Sequence, residues 1–174
     1  MRTPVDEPTA WLYQAMADRQ AAERFVADEV GTGRCHAIAK WQQTVEKAVK
    51  ALVSALHDAG ILGAGVLPRH AVERYIRALI SLPRAAGNRT IQQNLHGLLD
   101  QNTRAGIRAL DALAPQRPPR RNTEYPFQAA QGQWTYPAAE GVFSQDEVQQ
   151  FRALAHRVLD GAGRIVSAIR RRPS

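Results

Sequence analysis

The apolar stripe running through the segment WQQTVEKAVKALVSAL, residues 41 to 56, limits the possible folds of this chain more than any other feature. Ile38, Trp41, Val45, Ala48, Val49, Leu52, Ala55 and Leu56 recur at spacings of three and four. That periodicity lines them along one side of an α-helix and demands other elements to cover them. On the opposite side stand Glu46, Lys47 and Lys50, with Glu46 one turn N-terminal to Lys50, the favourable order for a helical ion pair. Spacing alone therefore predicts a core helix with one face against its neighbours and a charged face toward water.

Comparable patterns fill most of the remaining chain. A first helix is expected from Pro8, following Asp6, to about Val30, where Gly31 and Gly33 stop it. The striped helix should occupy residues 34 to 59 and end at Gly60, glycine being the residue that most readily takes a left-handed C-terminal conformation. A short helix from Pro68 to Leu82 is closed by Pro83 and Gly87. A fourth, over residues 88 to 113, buries Ile91, Leu95, Leu98, Leu99 and Leu110, and Gly106 weakens its second half. For the last helix, Ser144 and Glu147 form a capping-box pair ahead of Val148, Phe151, Ala155, Val158, Ile165 and Ile169. Gly161 and Gly163 within it mark either a close helix crossing or a weak point. No alternation suited to a strand is expected. These elements predict an all-α fold, an up-and-down antiparallel bundle of four to five helices in one domain spanning residues 1–174.

The segment 115–143 departs from this pattern. Pro115, Pro118, Pro119, Pro126 and Pro137 exclude a helix over most of it, while Tyr125, Phe127, Trp134, Tyr136 and Phe143 make it rich in aromatic rings. Long loops in small domains are commonly functional. The rings could equally plug the open end of the bundle. Arg117, Arg120 and Arg121, followed by Asn122 and Tyr125, add guanidinium groups beside flat side chains. This pairing can hold phosphate while a base stacks.

Composition narrows the partners. A formal charge of +7 favours polyanions and makes their binding salt-sensitive. Most cations are arginine, which a GC-rich coding sequence would also supply. The charged fraction of 22% against 44% hydrophobic residues belongs to a globular chain. No run of apolar residues reaches membrane-spanning length, and the N-terminus lacks the apolar segment of a secretory signal. Cys35 is the only cysteine, so no internal disulfide is expected and a reducing, cytoplasmic location fits. The five histidines show no metal-ligand spacing, and neither metal nor cofactor is expected.

The segment QQTVEKAVKAL resembles the signature helix of the higher eukaryotes and prokaryotes nucleotide-binding (HEPN) domain family. WLYQAMADRQAAERFV is similar to that family's first helix, and Cys35, His36 and Ala37 resemble the residues that lead into the signature helix. His70 resembles the histidine opening the next short helix, and Tyr125-Pro126 falls where many members carry Arg-Tyr-Pro-Asp. The helix beginning after Ser144 is similar to the closing alanine-rich helix. About residues 9 to 170 are covered. The resemblance implies a helical bundle acting on RNA or nucleotides and homodimerisation. It also implies a possible nucleotidyltransferase-type antitoxin partner, in a toxin–antitoxin or antiphage setting.

Catalytic members of that family use an arginine and a histidine with four to six residues between them, the histidine moving the proton and the arginine meeting the phosphate. Arg121-Asn122 resembles the first half of that motif, but Tyr125 and Pro126 occupy the region where the histidine would fall. A tyrosine of ordinary pKa near 10 is a poor general base at neutral pH. Arg89 and His96, with six residues between them, have the formal spacing and lie on one helical face, although chance alone supplies one or two such pairs in a chain so rich in arginine. The expectation is therefore an HEPN-like domain that binds RNA or nucleotide phosphate without a complete ribonuclease centre. Arg117, Arg120, Arg121, Asn122, Tyr125 and Trp134 would form the site, reinforced by Lys47 and Lys50. Two alternatives stand beside it. One is an active ribonuclease using Arg121 with Tyr125, or Arg89 with His96; the other is a structural protein-interaction module.

Overall fold

The computed structural model describes residues 5–27, 33–63, 72–82, 89–114, 120–130 and 133–171. Six helices appear among them: α1 (Glu7–Ala27), α2 (Gly33–Asp58), α3 (Val72–Ile80), α4 (Arg89–Leu98), α5 (Gln101–Asp111) and α6 (Gln145–Arg170). A two-stranded antiparallel hairpin, β1 (Phe127–Ala130) with β2 (Gln133–Thr135), lies between α5 and α6. The mostly helical class follows, with two corrections: the described residues form six helices where four to five were expected, and they include a small hairpin.

The directions of the long helices follow from their cross-contacts. Along α1 and α2, Phe25 meets His36, Asp18 meets Lys40 and Lys47, and Trp11 meets Lys50, so the two run antiparallel. Glu23 reaches Arg152 and His156, Arg19 reaches Asp160, and Asp6 reaches Arg170, which makes α1 and α6 antiparallel as well. Leu98 packs at Gly161 while Gly106 faces Leu154, so α4 and α5 descend alongside an ascending α6. Each long layer thus reverses the one before it, with α3 as a short fourth-side element.

The fourth helix expected from the sequence is broken. Asp100 adopts an extended conformation between α4 and α5 and accepts a 2.7 Å hydrogen bond from the Thr103 amide. A carboxylate that satisfies a free amide at a helix start gives a new N-terminus more than continuity would. Gly106, the expected weak point, instead lies within α5, where a Cβ would stand 3.3 Å from the Leu154 side chain. At the other boundaries local chemistry prevails. Gly60 has φ +68° beyond α2, and Ser144 and Glu147 form both halves of a capping box at α6. The expected helix between Pro68 and Leu82 begins at Val72, with residues 64–71 outside those described.

The core joins all six helices, with Trp41, Ile38, Leu52, Leu56, Tyr75, Leu79, Leu95, Leu110 and Phe143 among its most enclosed side chains. Helix α2 is its axis, and here the expected solvated face is corrected. Lys50 is buried, bonding Glu46 at 2.6 Å and standing 4.9 Å from the centre of the Trp11 ring. Lys47 and Lys40 both reach the buried carboxylate of Asp18 on α1. α1 therefore covers the charged side of α2 with matching groups, because a buried carboxylate is tolerable only when paired.

Candidate functional site

The aromatic segment divides into two faces. Phe127 is buried, and in the hairpin register it pairs with Thr135; Gln128 pairs with Trp134 on the other face. Alternation along β2 therefore turns Trp134 away from the core. Trp134 is 62% exposed, Tyr136 59% and Tyr125 56%. Phe143, at the foot of α6, is buried in the core. Of the five rings, Phe143 packs in the bundle core, Phe127 is buried on the hairpin, and three stand in solvent.

The expected arginine cluster does not act as one group. Arg121 makes a bidentate pair with Glu147, at 2.8 and 2.9 Å, donates to the Val142 carbonyl, and places its guanidinium 4.4 Å from the centre of the Phe143 ring. The Arg121 hydrogen bonds come first among the causes that hold the Glu147 carboxyl down at about 2 instead of 4.5. Arg121 is consequently a clasp at the start of α6, and its expected role on phosphate or in catalysis is not supported by this geometry. Asn122 is buried: its amide donates to the Arg120 carbonyl, while Oδ1 accepts from the Glu124 and Tyr125 amides. It shapes the turn that projects Tyr125. Arg120 is exposed; Arg117 lies outside the described residues. Lys47 and Lys50, engaged with α1 and Glu46 as above, are likewise drawn away from any external phosphate.

Arg89 and His96 are both exposed on α4, and their seven-residue separation keeps them on one face. Gln93 lies between them on that face and lines an open cleft of about 370 Å³ between α4 and α6. Its walls are Gln93, Asn94, Gly97 and Leu98 from α4, with Arg157, Gly161, Arg164 and Ile165 from α6. Sequence reasoning missed this cleft. The available signal was Arg157, Gly161 and Arg164 at spacings of four and three, a glycine between two arginines on one helical face.

The other candidates resolve into structural roles. The His156 ring nitrogen is 2.7 Å from Glu23, which also pairs with Arg152. Burial raises the Glu23 carboxyl, but hydrogen bonds from His156 and Arg152 outweigh it and leave the pKa below its ordinary value. Arg170 binds Asp6 and Thr9. Cys35 is buried, and that burial pushes its thiol pKa up, which disfavours a nucleophilic role. Between α2, α3 and α5, burial and then the charges of Glu46 and Glu73 raise the Asp111 carboxyl. Among the described residues no group of three histidine, cysteine or carboxylate side chains is placed to hold a metal ion, and no helix is long and apolar enough to cross a membrane. No protein-family model matches this chain, and neither a curated protein nor a solved structure matches it.

Proposed function

We propose that this chain is an HEPN-like helical domain that binds single-stranded RNA through the outer face of its hairpin, without the family's usual Arg…His ribonuclease centre. The observation that carries this reading is the exposure of three aromatic rings, Tyr125, Trp134 and Tyr136, on and beside one short hairpin anchored by Phe127. Rings held out in water on a fixed platform suit base stacking, which accepts any base. Arg120, five residues before Tyr125 in the chain, is exposed, and the formal +7 charge adds a general attraction for phosphate. Homodimerisation, or pairing with a nucleotidyltransferase-type antitoxin, belongs to the same proposal as its setting.

Fluorescence anisotropy with a short single-stranded RNA at low and high salt tests it. Binding should fall steeply with salt, and Trp134→Ala should remove about 1–3 kcal/mol of affinity while the thermal midpoint stays put. Arg120→Ala should flatten the salt slope by about one ion. Absence of binding at low salt, or unchanged affinity in Trp134→Ala, would defeat the proposal.

A second reading, metal-independent RNA cleavage, has one observation in its favour: Arg89 and His96 are both exposed on the same face of α4, beside an open cleft. Cleavage that survives a chelator and is abolished by His96→Ala would support it. Intact RNA after prolonged incubation with the parent protein would reject it.

A further inference from the structure

We infer that the groove between α4 and α6 is a docking surface for an acidic α-helix of a partner protein. The inference does not depend on the hairpin rings. Arg157 and Arg164 line the groove from α6, and no carboxylate is among its lining residues. Arg171 follows seven residues after Arg164, as Arg164 follows Arg157, so the three share one helical face with little drift. At that spacing the arginines recur about every 10.5 Å and span about 21 Å. α4 runs antiparallel to α6, with Leu98 against Gly161. Arg89, one turn before Gln93 on the lining face of α4, therefore stands toward the Arg171 end. Arg89, Arg164 and Arg171 are exposed, and their side chains have no hydrogen-bonding or ionic partner among the described residues. Arg157 is tied to Asp100 at 2.8 Å, so that end of the groove is already neutralised and the other end carries the surplus charge.

The spacing selects the occupant. A helix repeats one side nearly every seven residues, so carboxylates seven apart on a helix lying along the groove meet successive arginines in one register. An extended strand repeats each face about every 6.8 Å and falls out of step. A nucleic-acid strand carries a charge about every 3.4 Å along a duplex, which leaves most phosphates without a cation here. A second copy of this chain, itself at +7, is a poor electrostatic match for this face. The groove also offers an apolar anchor point. A Cβ at Gly97 would meet nothing within 4 Å, and Leu98 and Ile165 line the space beside it. A leucine between two carboxylates of the occupant fits there, while Gln93 and Asn94 can hydrogen-bond its polar side chains. One apolar anchor flanked by complementary charge is the helix-in-groove mode of recognition, in which the charges set orientation and encounter rate.

Calorimetric titration of the full chain at low salt tests the inference with stapled helical peptides of about 18 residues. The first peptide carries glutamate at every seventh position with leucine between. A second has the same composition with glutamate at every fifth position, and a third has lysine in place of glutamate. The first should bind at least about tenfold more tightly than the second, and the third should bind weakest. Arg164→Glu should weaken the first peptide by about tenfold or more and strengthen the third. Gly97→Leu, which fills the groove and keeps its charge, should weaken the first by a similar factor. Circular dichroism would verify that both variants fold. Trp134→Ala should leave peptide affinity unchanged, so failure of this surface and failure of the hairpin reading are distinguishable. No binding of the first peptide, equal affinity for the first two, or affinity indifferent to both Arg164→Glu and Gly97→Leu would overturn the inference. Displacement of the peptide by single-stranded RNA in Trp134→Ala would also overturn it, by making the groove a nucleic-acid surface.

Discussion

Replacing Arg121 with alanine separates a structural clasp from a ligand-binding arginine. The guanidinium makes both bonds to Glu147, donates to the Val142 carbonyl and covers the Phe143 ring. Moving the Glu147 carboxyl from 4.5 to about 2 corresponds at face value to roughly 3 kcal/mol. The two side chains are 37% and 31% exposed, however, so solvent screening reduces this to about 1.5–2 kcal/mol. The contact over Phe143 adds about 0.5–1 kcal/mol. Arg121→Ala should therefore cost about 2–3 kcal/mol, a fall of roughly 5–10 °C in Tm for a domain of this size. Because the folded carboxyl titrates below the unfolded one, the Glu147 contribution is fully present above about pH 4.5. It disappears as pH falls toward about 2. The stability gap between parent and variant should narrow across that window, as read by urea denaturation at a series of pH values. A variant with the parent's Tm and a selective loss of RNA binding would refute the clasp and return Arg121 to the binding surface.

Three further outcomes are expected. Asp18→Ala, which strands Lys40 and Lys47 beside α1, should cost about 3 kcal/mol; a urea midpoint unchanged from the parent would show that the pairing is dispensable. Ser144→Ala removes the oxygen that accepts the Glu147 amide and should cost about 1 kcal/mol, read as a loss of thermal stability. Gly163→Ala, with open space around it, should stabilise α6 by up to about 1 kcal/mol, whereas Gly161→Ala should not, because Leu98 occupies the position of the new methyl group. Equal Tm values for the two glycine variants would contradict the close crossing of α4 and α6.

Features decided by neighbours in the chain were legible from sequence. The Ser144/Glu147 capping box, the Gly60 stop and the Glu46–Lys50 pair all depend on groups within four residues of one another, and all three occur. The break at Asp100 was equally local, but the apolar pattern running through Leu98, Leu99 and Leu110 concealed it. The hairpin escaped notice because its strands are four and three residues long, too short for alternation to stand above chance. Of the candidate site, Tyr125 and Trp134 emerged exposed as a binding platform needs, whereas Arg121, Asn122, Lys47 and Lys50 acquired internal partners.

By itself, the sequence determined an α-helical chain with a buried α2, a capped final helix and a surplus of positive charge. Hydrophobic period, capping chemistry and net charge are properties of the chain before it folds. Tertiary structure decided which charges remain available. Glu147 captured Arg121 across the chain and Asp18 captured two lysines from α2, while Arg164 was left beside the space opened at Gly97. Residue type makes a cation, but only the packing of distant helices determines whether a carboxylate reaches it before a ligand can.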